Sequence, residues 1–275
     1  MAQLNNKRKE FDPAEQVEAI LDFIKSYFVE NGNPNTKAVI GISGGKDSTI
    51  AAALLVRALG ADRVIGVMMP NGTQLDLADA RKVCNILGIQ SFVVNIGESY
   101  NTLIKEFNES TGMHPTDQIK TNTPARLRMT TLYMVAAAVG GRVCNTGNAS
   151  EFFIGYTTKY GDLAGDFALL RNLTVREIYA IGDYLTELPY ELVHKAPADG
   201  MSGKTDEDNT GIPYDAVDDY LLNDIIPDMQ IYQKMIAAHK RNVHKQIINL
   251  PAPQRTNYSL RRYHDDIWYD DGFNF

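Results

Sequence analysis

The chain has 275 residues, of which 44% are hydrophobic and 22% are charged, and its formal net charge is −7 at pH 7. This composition is ordinary for a globular protein that buries a sizeable core. The acidic balance argues against a non-specific nucleic-acid-binding protein, which normally has a basic face, so an anionic ligand must be held by local cations or a metal ion.

Strands and helices are predicted to alternate along the first part of the chain. The capping pattern Asp-Pro-Ala-Glu at 12–15, followed by apolar residues at helical spacing, predicts a helix that ends near residue 30. Short apolar runs predict buried strands, and the Ala- and Leu-rich or amphipathic stretches between them predict helices. The predicted strands are 38–42, 63–69, 90–95 and 142–146.

The remaining segments predict helices and two unusual loops. We expect a long helix over 124–139 after a polar connector, and further helices over 174–185, 214–221 and 227–248. The apolar residues of the segment 152–170 recur with no clear helix or strand period, which predicts a loop. A loop of this length inside an α/β domain is usually functional. The polar, glycine-rich segment 197–211 is predicted to be a mobile lid or a disordered stretch.

This order of elements predicts an α/β fold with a doubly wound parallel sheet and flanking helices. No internal repeat or low-complexity run is present, so a single domain is expected over residues 1–275. In such sheets, ligands bind beyond the carboxyl ends of the strands. The first strand ends at the segment Ser-Gly-Gly-Lys-Asp-Ser, residues 43–48, which opens the next helix.

The segment 43–48 has the features of a phosphate cradle. Its two glycines allow a tight turn and a close approach to a ligand, while the turn N–H groups and the helix dipole favour an anion. Ser43 and Ser48 add hydroxyl groups, and Lys46 adds a positive charge. The segment lacks the spacing of a Walker loop and the three glycines of a dinucleotide fingerprint.

Asp47 is the informative residue of this loop. A carboxylate beside a phosphate repels it unless a divalent cation stands between them, which points to Mg²⁺ and a pyrophosphate group. The alternative is a glycine-rich strand-to-helix turn in which Asp47 only caps the helix. A second junction of the same kind, Thr-Gly-Asn-Ala-Ser-Glu at 146–151, follows the fourth predicted strand.

Three segments together carry a family resemblance that extends over almost the full chain. The segments 43–48 and 146–151 resemble the two nucleotide motifs of ammonia-dependent NAD synthetases, which belong to the N-type ATP pyrophosphatases. The segment 156–162, Tyr-Thr-Thr-Lys-Tyr-Gly-Asp, followed by Asp166, resembles the dinucleotide-binding segment of that family. The resemblance implies a Rossmann-like fold of the adenine-nucleotide alpha-hydrolase type. It also implies adenylation of the carboxylate of deamido-NAD by ATP, followed by displacement of AMP by ammonia.

The resemblance also implies roles for individual residues. Asp47 and Glu151 would bind Mg²⁺, and Lys46, Asp47 and Asp162 would be catalytic, with Asp162 meeting the incoming ammonium ion. Deamido-NAD would be held by Arg126, Lys159, Asp166, His244 and Lys245. The ATP-binding residues would be Gly41, Ile42, Ser43, Gly44, Gly45, Lys46, Asp47, Ser48, Gln74 and Thr146.

Several of these roles have alternatives that the sequence leaves open. Glu151 could be an acidic residue of a first helical turn, and Lys159 and Asp166 could be solvated loop charges. Either Arg126 or Arg128 could face water on the long helix. The pair 239–240 has the same His-Lys sequence as 244–245, although spacing favours the second pair.

The resemblance implies a homodimer that uses free ammonia, because the sequence shows no nitrilase-like glutaminase region with its catalytic cysteine. Cys84 and Cys144 lie in apolar or helical patterns and predict buried, reduced thiols rather than a disulfide framework. No nucleic-acid or membrane partner is expected, and the lack of an apolar leader predicts a cytoplasmic protein.

Two other functions remain open from the sequence alone. Another ATP pyrophosphatase, such as a tRNA-modifying enzyme, would be expected to show a basic RNA-binding face or a sulfur-carrying cysteine pair. A non-catalytic nucleotide sensor would bind ATP and signal through the segment 197–211. Such a sensor would not need both Asp47 and Glu151.

Overall fold

The structure, a computed structural model, describes residues 10–73, 77–194 and 205–246. Within these residues, parallel strands form a single five-stranded sheet in the order β3-β2-β1-β4-β5. The strands are β1 (Lys37–Gly41), β2 (Val64–Met68), β3 (Gln90–Val93), β4 (Gly141–Asn145) and β5 (Phe167–Ala168).

The described helices flank this sheet or cover its carboxyl edge. They are α1 (Pro13–Glu30), α2 (Lys46–Leu59), α3 (Leu77–Leu87), α4 (Gly97–Thr111), α5 (Asp117–Val139), α6 (Ala149–Ile154), α7 (Val175–Tyr184), α8 (Tyr190–Val193), α9 (Asp206–Thr210), α10 (Tyr214–Asn223) and α11 (Met229–Asn242). Short 3₁₀ turns follow α2 and α11, at Ala61–Arg63 and Val243–Lys245.

The predicted doubly wound architecture is confirmed. Helices α1, α2 and α7 pack together on one face of the sheet, and α5 packs on β1 and β4 from the other face. The chain winds outward from β1 through β2 to β3, and then returns to place β4 on the other side of β1. The direction of winding therefore reverses between β1 and β4, where doubly wound proteins form a ligand-binding crevice.

The core forms where the sequence has its apolar runs. The middle residues of β1 and every residue of β2 are buried, because helices cover both faces of these strands. The apolar stripe of α1 is buried as its helical spacing predicts, and Asp12 caps this helix by accepting hydrogen bonds from the N–H groups of Ala14 and Glu15. Cys84 and Cys144 are buried free thiols, as predicted.

Three elements differ from the sequence prediction. Helix α5 begins at Asp117 instead of at residue 124, because Thr116 caps it by accepting from the N–H of Ile119 at 3.3 Å, and Pro124 lies inside the helix. Within the segment 152–170, the two-residue strand β5 was not predicted. Residues 205–211 include the capped helix α9, whereas the rest of the predicted lid, 197–204, lies outside the described residues.

No helix in the described ranges combines the length and the apolar composition needed to cross a bilayer.

Candidate active site

The β1–α2 junction is a tight turn stabilised by its two serines. Gly44 has a φ of +82°, a left-handed conformation that glycine adopts without steric cost. The Ser43 hydroxyl accepts from the N–H of Gly45 at 3.2 Å and lies 3.1 Å from the Ser48 hydroxyl. Helix α2 starts at Lys46 with no side chain capping it, so its first-turn N–H groups face the end of the strand as an anion site.

Lys46 is held between negative charge and an aromatic ring. It is only 2% exposed, its Nζ lies 2.9 Å from Asp47 Oδ2, and the Tyr179 ring centroid lies 5.6 Å from the same Nζ. Burial opposes the charged form of Lys46, but the carboxylates of Asp47 and Glu151 outweigh burial and raise its pKa. Lys46 is therefore a buried, permanently charged group at the phosphate cradle.

The β4–α6 junction places a second carboxylate beside the first. Asn148 caps α6 by accepting from the N–H of Glu151 at 2.9 Å, and its own N–H donates to Glu151 Oε2 at 3.4 Å. The Asn148 side-chain amide also donates to Asp47 Oδ1 at 3.3 Å. The two residues predicted to bind a metal ion are thus joined through one asparagine.

The electrostatics of this pair favour a cation. Burial and the neighbouring Asp47 carboxylate raise the pKa of Glu151 to about 8, although Lys46 opposes the shift. A cation between Asp47 and Glu151 would relieve their repulsion. Across residues 10–73, 77–194 and 205–246, no three His, Cys, Asp or Glu side chains form a metal-holding group. Two carboxylates still fit Mg²⁺, which takes most of its other ligands from phosphates and water.

A cavity of about 370 Å³ lies between the two junctions, at the carboxyl ends of β1 and β4. Most of the predicted ATP-binding, catalytic and metal-binding residues line it: Gly41, Ile42, Ser43, Gly45, Lys46, Asp47, Ser48, Thr146, Glu151 and Asp162. Gly44 forms the turn behind this lining, and Gln74 lies outside the described residues. The cavity is therefore where the fold and the two motifs both place a nucleotide.

Four of the five predicted deamido-NAD residues form a group beside this cavity, which we call the cationic cluster: Arg126, Lys159, His244 and Lys245. The Arg126 guanidinium donates to the Lys159 carbonyl at 3.3 Å, and Lys159 Nζ donates to the His244 carbonyl at 2.9 Å. Lys245 Nζ donates to the carbonyls of Gly155 and Thr157 at 2.8 and 2.7 Å.

The fifth predicted residue, Asp166, lies apart from the cationic cluster. Its carboxylate accepts from the N–H of Val143 on β4 at 2.7 Å and from the Tyr133 hydroxyl at 3.4 Å. These contacts place Asp166 beside the middle of β4, directly before β5, and it is not among the residues that line the cavity. The alternative histidine, His239, hydrogen-bonds the Phe153 carbonyl and stacks on the Phe153 ring, so the pair 244–245 is the one beside Lys159.

Asp162 stands between the cavity and the cationic cluster. Its side chain reaches solvent through the cavity, but dense surrounding protein desolvates the carboxylate and raises its pKa to about 6. Hydrogen bonding from the N–H of Thr158 and the charge of Lys245 oppose this shift. Asp162 is thus a carboxylate that changes protonation state near neutral pH, where general acids and bases act.

The structure adds site residues that the sequence analysis did not assign. Arg128, rather than Arg126, lines the cavity, and its Nε donates to the Met69 carbonyl at 3.0 Å. Asp206 from α9 also lines the cavity. The side chain of Asn145 donates to the carbonyls of Asp162 and Ala164 at 2.6 and 3.2 Å, which ties β4 to the loop that carries Asp162. The helix-capping signal of Asn148 and Glu151 could have been found from the sequence.

The fold and this cavity define an α/β nucleotide-binding protein of the adenine-nucleotide alpha-hydrolase type. A family model described as NAD synthase matches residues 16–260. The chain therefore belongs to the NAD synthase family.

Individual relatives agree with this family. An NH(3)-dependent NAD(+) synthetase from Thermococcus sibiricus is 36% identical over 231 residues, which are 83% of this chain and 87% of the relative. Among solved structures, an NMN synthetase from Francisella tularensis has a TM-score of 0.79 at 32% identity and is matched over 88% of this chain and 99% of its own. An NH3-dependent NAD synthetase from Campylobacter jejuni has a TM-score of 0.70 at 28% identity, over 89% of this chain and 100% of its own.

Proposed function

We propose that this protein uses ATP and free ammonia to convert the nicotinate carboxylate of deamido-NAD into the carboxamide, giving NAD, AMP and pyrophosphate. The observation that carries this function is the meeting of Lys46, Asp47 and Glu151 in one cavity at the β1–β4 switch point. The chain's relatives are named NH(3)-dependent NAD(+) synthetases, which supports ammonia as the nitrogen donor.

The arrangement of charges suits transfer of AMP to a carboxylate. A carboxylate is a poor electrophile, so it must first receive a good leaving group. Negative charge then grows on the departing pyrophosphate, where Lys46 and the N–H groups of the 43–48 turn would stabilise it. Mg²⁺ held by Asp47 and Glu151 would neutralise phosphate charge in the same place.

The cationic cluster is proposed as the binding surface for deamido-NAD. Arg126 and Lys159 offer donors to phosphate oxygens, and the guanidinium of Arg126 provides a planar fork. Asp162 lines the cavity and is close enough to Lys245 to feel its charge, which supports the proposal that its carboxylate meets the incoming ammonium ion. Contact of Asp166 with deamido-NAD stays a prediction, because its carboxylate holds the N–H of Val143 in this structure.

A homodimer is the proposed assembly. Helices α4 and α5 and the edge strand β3 expose large apolar side chains, among them Phe92 and Val93 on the edge strand, Leu103 on α4 and Met134 on α5. Met134 is 68% exposed. A second copy of the chain would cover such a surface, and α5 also carries Arg126. Sedimentation velocity should show a dimer that the double substitution Leu103→Asp and Met134→Asp converts to monomer; an unchanged dimer would place the interface elsewhere.

Three further predictions concern an active-site loop, the domain organisation and the location of the protein. We retain the proposal that 197–211 acts as an active-site loop, supported by the position of Asp206 in the cavity lining. A single domain over 1–275 and a cytoplasmic location also stay predictions.

A second candidate substrate follows from the similarity to the Francisella tularensis protein, which is described as an NMN synthetase. Nicotinate mononucleotide carries the same reacting carboxylate as deamido-NAD but lacks the adenylate half. Both candidates use the same adenylation chemistry, so the cavity between β1 and β4 does not discriminate between them.

One assay separates these possibilities. The protein is mixed with ATP, Mg²⁺, ammonium and either deamido-NAD or nicotinate mononucleotide, and both the amidated product and pyrophosphate are measured. We expect one NAD per pyrophosphate and a kcat/KM that favours deamido-NAD. A higher kcat/KM for the mononucleotide would make nicotinate mononucleotide the substrate. Efficient use of glutamine would contradict free ammonia as the nitrogen donor. If neither product forms, the protein binds nucleotides but does not catalyse this reaction.

A further inference from the structure

Asn148 occupies an unusual position between the two carboxylates of the candidate metal site. It is only 1% exposed and makes hydrogen bonds to both residues. Its side-chain oxygen accepts from the N–H of Glu151, and its backbone N–H donates to Glu151 Oε2. Its side-chain nitrogen donates to Asp47 Oδ1 at 3.3 Å. No role was assigned to this residue by the motifs.

We propose that Asn148 is a positioning residue that fixes the spacing of the Asp47 and Glu151 carboxylates, and thereby the affinity of this pair for a divalent cation bound together with ATP. This inference rests on the proposed function, because it takes Asp47 and Glu151 to be the metal-binding pair.

The residue type matters for this role. Capping of α6 alone requires only a side-chain oxygen, which Ser, Thr or Asp supplies as well as Asn. Asn carries its acceptor and its donor on two separate atoms, whereas the hydroxyl of Ser or Thr offers both from a single oxygen and the carboxylate of Asp only accepts. The acceptor is used for the helix cap and the donor for Asp47. Asn148 therefore links two junctions that lie 101 residues apart in the sequence.

The partners of Asp47 show what the amide contributes. Oδ2 of Asp47 is paired with Lys46 Nζ at 2.9 Å, and Oδ1 receives the Asn148 amide. These two donors hold the carboxylate in one orientation toward the cavity. An uncharged amide orients the carboxylate without adding a second positive charge that would repel a metal ion.

Helix α6 is also held by contacts that do not involve Asn148. The Ser150 hydroxyl donates to Asp218 Oδ1 at 2.5 Å and accepts from the N–H of Val175 at 3.1 Å. The other oxygen of Asp218 accepts from the N–H of Arg176 at 2.8 Å. Asp218 is only 1% exposed, and its contacts join α6, α7 and α10. Loss of the Asn148 amide would release Asp47 while α6 stays in place.

The decisive variant is Asn148→Ser, which keeps a helix cap and removes the amide donor. Asn148→Ala removes both, and Asp12→Ala removes a cap from α1, far from the cavity, as a matched control. The readout is Mn²⁺ binding to the full-length protein with a non-hydrolysable ATP analogue, followed by electron paramagnetic resonance, together with thermal unfolding. This measurement needs neither deamido-NAD nor ammonia.

We expect Asn148→Ser to weaken Mn²⁺ binding by about tenfold, as for a lost hydrogen bond to a charged group, while its unfolding stays close to that of the wild type. Asn148→Ala should weaken Mn²⁺ binding equally and also unfold earlier, and Asp12→Ala should only unfold earlier. If Asn148→Ser binds Mn²⁺ as tightly as the wild type does, Asn148 acts only as a helix cap and the inference is wrong. If the wild type binds no Mn²⁺ with the nucleotide, the metal site of the proposed function fails as well.

Discussion

The cavity and the cationic cluster lie side by side, but the chain builds them differently. The cavity is made by two strand–turn–helix junctions on the neighbouring strands β1 and β4, and its lysine, Lys46, is 2% exposed. The cationic cluster joins α5, the loop after α6 and the 3₁₀ turn after α11, and its contact between Lys159 and His244 spans 85 residues of sequence. Arg126 and His244 are exposed to solvent.

We propose that this difference separates the site of the chemical step from the surface that recognises the substrate. In the cavity, buried charges and turn N–H groups are fixed before any ligand arrives, which is the arrangement that stabilises developing charge. In the cationic cluster, Lys159 and Lys245 hold backbone carbonyl oxygens and would have to exchange these partners for phosphate oxygens. Substitutions in the cavity should therefore lower kcat, and substitutions in the cationic cluster should raise the KM for one substrate.

The largest expected effect is that of Asp47→Asn. Because the substitution removes one charge of the metal-binding pair, we expect kcat to fall on the order of a hundredfold to a thousandfold. Product formation is measured at saturating ATP and deamido-NAD. Asp22→Asn, on the exposed face of α1, is the matched control and should keep full activity. If Asp47→Asn retained the wild-type kcat, the cavity would not be the site of the chemical step.

A smaller effect is expected for Lys159→Ala. Loss of a charged donor to phosphate should raise the KM for deamido-NAD by about tenfold or more, while the KM for ATP stays unchanged. The control is Lys240→Ala, an exposed lysine near the end of α11. Equal increases of both KM values would show that the cationic cluster and the cavity act as one site.

The smallest expected effect is a change in pH dependence caused by Asp162→Asn. Because the folded protein raises the pKa of Asp162 from 3.8 to about 6, its charged form is disfavoured by folding. As the pH falls from above about 6 to 3.8, the free energy of unfolding of the wild type should therefore rise relative to that of Asp162→Asn. Urea unfolding of both proteins across this range measures the difference. A constant difference would contradict the raised pKa.

Sequence patterns predicted the local parts of this structure well. The first strand, expected at 38–42, is Lys37–Gly41, and the capping box at Thr174 and Glu177 begins α7 as expected. The start of α5 was predicted wrongly, because a proline is most common in the first turn of a helix, whereas Pro124 lies well inside this one. The strand β5 has only two residues, too few for a period to be visible.

From residue patterns alone, without the family resemblance, the site was predictable only where it lies within one motif. The segments 43–48 and 146–151 each contain their own turn and helix start, and both line the cavity. The choice between Arg126 and Arg128 depends on how α5 is rotated against the sheet, which packing with β1 and β4 decides. The role of Asn148 depends on a contact between two distant junctions, which neither motif reveals alone.

The most direct test of the separation between chemistry and recognition is exchange of labelled pyrophosphate into ATP, measured with Mg²⁺ and deamido-NAD but without ammonium. We expect exchange in the wild type that requires deamido-NAD. We also expect that exchange is lost in Asp47→Asn at every substrate concentration, and that Lys159→Ala recovers it when the concentration of deamido-NAD is raised. Exchange that requires ammonium would contradict adenylation as a separate first step in the cavity. Failure of Lys159→Ala to recover exchange at high deamido-NAD would contradict a role of the cationic cluster in substrate binding alone.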